Sequence, residues 1–94
     1  MAAYIMALTI KPNAKQEHPA LSHHINDSIE VFARHDIHID NLLATLGRFD
    51  FLALFESTDQ TKVFRAASDI NNLGILETET WPVIPFDEFT SILE

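Results

Sequence analysis

The order of apolar patterns along the chain predicts an α+β domain of ferredoxin-like type: strand, helix, strand, strand, helix, strand, and then a short C-terminal helix. Three observations carry this. The hydrophobic period alternates between two and 3.6 along the 94 residues. The first and third strands are apolar on both faces, as the two central strands of that topology must be. The last strand carries charges, which mark an edge.

The first strand, 3–11, sets Tyr4, Met6, Leu8 and Ile10 on one face and Ala3, Ile5 and Ala7 on the other, and Pro12-Asn13 ends it. A helix over 19–35 follows, with Leu21, Ile25, Ile29 and Phe32 on one stripe. Pro19 suits its first position, where a missing N–H costs nothing. Ser28 falls inside the stripe, and its hydroxyl is expected to bond back to the carbonyl of His24.

Strands over 37–46 and 49–56 are joined by Gly47-Arg48, which fits a two-residue type II′ hairpin turn with Gly47 at positive φ. That turn pairs Leu46 with Phe49, Thr45 with Asp50, Ala44 with Phe51 and Leu43 with Leu52. A capping box at Ser57-Thr58-Asp59-Gln60 opens the second helix. This helix runs to about Asn72, with Val63, Ala67 and Ile70 on one stripe, and Gly74 is its left-handed stop. The last strand, 75–81, alternates Thr78 and Thr80 against Glu77 and Glu79. After Pro82 and Pro85, the short helix 86–93 offers Phe86, Phe89 and Leu93 for docking.

A chain of this length is a single domain, 1–94, and folding buries only roughly 60–68 % of its extended surface. Its hydrophobic share of 47 %, with seven Phe, one Trp and one Tyr, is more than one thin core readily hides. Two helices cover one face of a four-stranded sheet, so the other apolar face needs a lid. A second copy of the chain is the expected lid, because an open patch of this size exceeds what soluble monomers tolerate. The predicted partner is therefore the chain itself, as a homodimer with higher assembly left open.

Net charge is −8, and the six cations Lys11, Lys15, Arg34, Arg48, Lys62 and Arg65 are dispersed. Nucleic acid and anionic membranes are poor partners for such a surface. No cysteine is present, which excludes thiolate catalysis and cysteine-ligated metals. The N-terminus lacks a signal-peptide pattern, so a cytoplasmic location is the default expectation. Two glycines in all leave no phosphate loop or dinucleotide fingerprint, and nothing calls for a cofactor.

The stretch Thr45-Leu46-Gly47-Arg48-Phe49-Asp50, followed by Leu73-Gly74, by Glu77-Thr78-Glu79-Thr80 and by Pro85-Phe86-Asp87-Glu88-Phe89, resembles the GYD-domain family, named for a Gly-Tyr-Asp signature. The resemblance covers most of the chain from Ile37 onward. It implies a dimeric α/β-barrel in which two ferredoxin-like protomers pack sheet against sheet, and it implies no settled reaction. The chain departs from the signature in having Phe49 where tyrosine stands, so no phenolic hydroxyl is available there.

The candidate ligand-binding residues are Arg48, Asp50, Thr78, Glu79 and Trp81. Arg48 offers a guanidinium for an anionic group. Asp50 can orient that group, or can simply accept a backbone N–H in the turn. Glu77 and Glu79, on one side of a strand, can share a proton inside a cavity, or can deter edge-to-edge aggregation. Trp81, Tyr4 and the phenylalanines can line a pocket or form a dimer core.

His18, His23, His24, His35 and His38 lack the fixed i, i+4 spacing of a metal site, and none is assigned a metal. Three functions stay open. The first is a small-ligand binder, with its cavity between the packed sheets or at their mouth. The second is a cofactor-independent monooxygenase or isomerase acting on an aromatic or polyketide-like substrate. The third is a structural or interaction module.

Overall fold

The computed structural model describes residues 1–17 and 21–94. Its elements run β1 (Ala2–Ile10), α1 (Pro12–Glu17), α2 (Leu21–Arg34), β2 (Ile39–Ala44), β3 (Phe51–Ser57), α3 (Gln60–Asn72), β4 (Leu76–Val83) and α4 (Phe86–Leu93). The sheet is antiparallel in the order β2-β3-β1-β4, so β1 and β3 are central and β4 is an edge, as their sequence patterns require.

The register decides which parity faces the helices. Tyr4, Met6 and Leu8 of β1 lie beside Phe55, Ala53 and Phe51 of β3 and beside Pro82, Thr80 and Thr78 of β4. On this side Met6, Leu8, Ala53 and Phe55 are buried with Phe32 of α2, Ile70 of α3 and Leu76. Phe55 is the hub. Tyr4 stacks on it with centroids 5.6 Å apart, and Phe32 meets it edge-on at 5.3 Å. The opposite face presents Ile5, Leu52, Leu54, Leu43, Glu77, Glu79 and Trp81, and none of these is buried.

The helix ends follow local chemistry. Asp36, at φ 59°, closes α2 in a left-handed turn, with the Ile37 amide donating to Phe32 O (2.9 Å) and the Asp36 amide to Ala33 O (3.0 Å). Gly74 adopts φ 81° beyond α3, the stop its position predicts. Ser28 is buried and donates to His24 O at 3.0 Å, as expected for a hydroxyl inside an apolar stripe. The expectation that Pro19 opens the first long helix lies outside the described residues.

Four expectations are corrected. Pro12 does end β1, but it also starts the short helix α1, since its fixed φ serves a first helical turn equally well. The cap of α3 is Asp59 and not Ser57. β3 runs through Ser57, whose hydroxyl holds the backbone of Asp59 (3.1–3.2 Å), and the Asp59 carboxylate then accepts from the Thr61 amide at 2.9 Å. β4 continues to Val83 through Pro82, which an edge strand tolerates because one side of its backbone needs no ladder donor.

The hairpin is the fourth. Ala44 pairs with Phe51 and Leu43 with Leu52, as expected, but residues 45–50 form a six-residue loop rather than a two-residue turn. Gly47 is not at positive φ, and a Cβ there would meet nothing within 4 Å. The reason lies in Asp50. Its amide donates to Leu8 O (3.0 Å) and its carboxylate accepts from the Ile10 amide (2.8 Å), which draws the chain toward β1. Thr45 closes the loop, its amide donating to Asp50 O at 2.9 Å and its hydroxyl to Phe49 O.

Candidate functional site

Two concave regions lie on opposite faces of the sheet. The smaller, about 100 Å³, is on the face the helices leave open and is lined by Ala7, Thr9, Phe49, Glu77, Thr78 and Glu79. The loop 45–50 builds it by leaning over β1, so that the Phe49 ring meets Trp81 edge-on at 5.7 Å. The Arg48 guanidinium carbon stands 5.9 Å from the same ring, a cation–π distance. Phe49 and Trp81 thus make an aromatic shelf, with a cation at one end and two carboxylates beside it.

The larger region, about 390 Å³, is on the helix side, between α3 and β4. Gln60, Val63, Phe64, Ala67 and Asn71 recur at the spacing of one helical stripe, and they face Thr78, Thr80 and Pro82, alternate residues of one strand face. Tyr4 completes the lining. Asn71 fixes the two elements together. Its Oδ1 accepts from the Thr78 amide (3.1 Å), while its Nδ2 donates to Thr78 Oγ1 (2.9 Å) and to Ala67 O (2.8 Å).

The five predicted site residues are therefore divided. Glu79 and Trp81 share the open face, and exposed Arg48 reaches the same shelf through Phe49. Thr78 points its side chain to the other side of the sheet, where Asn71 takes its hydroxyl. Asp50 is committed to β1 and serves the fold. Phe49 is not among the predicted candidates, although its place in the signature is a signal for it. Thr80 and the α3 stripe escape sequence reasoning as a site because each reads as an ordinary half-buried position.

His35 is held by Asp69 (Nε2 to Oδ2, 2.7 Å), which ties the end of α2 to α3. Among the described residues no group of three or more His, Asp or Glu comes together as metal ligands would, and no helix is long and apolar enough to cross a membrane.

Fold and site together define a small α+β domain with a helix-covered face and an open, aromatic-bearing face. The chain belongs to the GYD domain family, whose model matches residues 4–93. In sequence, no curated protein matches it. Among solved structures, it is similar to MtbAldR (TM-score 0.62, 12 % identity, covering 89 % of this chain and 52 % of that one). It is also similar to a homoserine dehydrogenase from Thiobacillus denitrificans (TM-score 0.60, 17 % identity, 88 % and 17 %). TTHA0845 from Thermus thermophilus matches over nearly its whole length (TM-score 0.59, 20 % identity, 90 % and 95 %). The chain thus spans about half of the first of these and about a sixth of the second. At these identities the likeness is one of fold.

Proposed function

We propose that this protein is a homodimer that binds a small molecule between the open faces of its two sheets, on the shelf formed by Phe49 and Trp81. Arg48 reads an anionic group of that molecule, and Glu77 and Glu79 read a cationic or hydrogen-donating one. The observation that carries this reading is the recess itself, because a loop of the chain places an aromatic ring over an apolar sheet face that its own helices leave open. Ligand sites are commonly built in this way, from an apolar wall with a few polar groups at its rim.

Dimerisation is tested by sedimentation velocity at micromolar concentration. The expected result is a dimer for the native chain and a folded monomer for Leu54→Glu, which sets a charge in the middle of the open face. A native chain that sediments as a monomer would sink the proposal. Ligand binding is tested by native mass spectrometry of the protein as purified. An adduct lost in Trp81→Ala and in Glu79→Gln places the molecule on the shelf, and an adduct that survives both changes places it elsewhere.

A further inference from the structure

We infer that α4 is a clasp: in the homodimer proposed above, on which this inference rests, the helix of each protomer packs its apolar stripe against the second copy and not against its own body. Phe86, Phe89, Ile92 and Leu93 are spaced so that they share one side of the helix. None of them is buried, and among the described residues no hydrogen bond, ion pair or ring contact joins α4 to another element. At 8 residues the helix is too short to persist alone in water, where about 12–15 are needed even with good helix formers. Its stability therefore comes from a surface that it meets.

Three observations make that surface a second copy of the chain. The accessible surface is 6386 Å², against about 5,500 Å² for a compact monomer of this mass, an excess of roughly 900 Å². A standard interface takes about 800 Å² from each partner, so the excess is what one dimer contact covers. The second observation is continuity. Only Ile84 and Pro85 separate α4 from β4, and Pro85, at φ −58° and ψ 146°, makes the link stiff. Trp81 and Val83, at that end of β4, lie beside Ile5 and Ala3 on the open face, so a second copy seated there reaches the root of the helix. The third is charge. Asp87, Glu88 and Glu94 are the charged residues of this segment and no Lys or Arg stands in it, which makes an anionic membrane a poor occupant for the stripe.

The experiment uses the full chain at the concentration of an NMR sample. Equal amounts of ¹³C-labelled and unlabelled protein are unfolded and refolded together, and an isotope-filtered NOE spectrum then reads contacts between protomers only. Intermolecular NOEs are expected from the side chains of Phe89, Ile92 and Leu93. Ile92→Ser combined with Leu93→Ser should raise the dimer dissociation constant about a hundredfold by sedimentation equilibrium, because a two-fold dimer loses both side chains twice. Ser91→Ala, on the opposite side of the helix, should leave that constant unchanged. Amide spectra of each variant show that the sheet is intact.

Three results would overturn the inference. NOEs from α4 confined to its own chain would show the helix folded back on its own body. A native dimer with no NOE from α4 to the second copy, or with the same dissociation constant in the double variant, would leave the open-face dimer standing and assign α4 to a partner of another kind. A native chain that stays monomeric would sink that dimer and the clasp together.

Discussion

Asp50 serves two backbone partners of one strand, donating to Leu8 with its amide and accepting from Ile10 with its carboxylate. The carboxylate continues the β1 ladder past the point where β3 ends, in place of a strand. Asp50→Ala is expected to lower stability by about 1–3 kcal/mol, because it leaves the Ile10 donor without its acceptor. Asp50→Asn keeps an acceptor and should cost less; urea denaturation of the two variants measures the difference.

The two glycines separate in the same kind of test. Gly74, at φ 81°, should lose about 1 kcal/mol or more as Gly74→Ala. Gly47→Val should change stability by less than about 0.5 kcal/mol, since its φ is not left-handed and the space around it is open. Both glycines stand at turns in the sequence, and Gly74 could be read because a helix end fixes the conformation that follows it. Gly47 could not. The conformation there is dictated by a bond from Asp50 to a strand forty residues away in sequence, which no local pattern records.

The elements themselves were more legible than their junctions. The strands and α2 and α3 follow from apolar periodicity, which is local, and the central places of β1 and β3 follow from having two apolar faces. What the pattern lacked was parity. Both faces of β1 are apolar, and only the helices' packing selects Met6 and Leu8 over Ile5 and Ala7. The candidate site suffered from that gap, because Thr78 and Glu79 are neighbours in sequence and lie on opposite faces of the sheet.

α3 and β4 are held in place by Asn71, which accepts from a strand amide and donates to a strand hydroxyl. Asn71→Ala should lower stability by about 1–3 kcal/mol. Hydrogen exchange at the Thr78 amide should quicken more than exchange in the β1–β3 ladder, and uniform exchange across the sheet would count against this local role.

At the scale of the whole molecule, shape and surface agree. The Cα radius of gyration is 14.4 Å, against about 12 Å for a compact chain of this length. The principal extents are 52 × 28 × 18 Å. α4 carries no buried residue, and Phe86, Ile92 and Leu93 are 70–74 % exposed. Small-angle scattering of the Leu54→Glu monomer should return a radius of gyration near that of the single chain, and the native protein a larger one.

The two margins of the sheet set a limit on how such chains can associate. β2 carries an irregularity between Ile39 and Asn41, and β4 has Pro82 in its ladder and Asn71 on its Thr78 amide. Neither margin offers a flat, continuous row of free donors and acceptors to another strand. Growth by pairing further strands onto either edge is therefore disfavoured. The homodimer proposed above uses the open face instead, and a contact between two copies of one face about a two-fold axis closes on itself and gives particles of finite size rather than fibres.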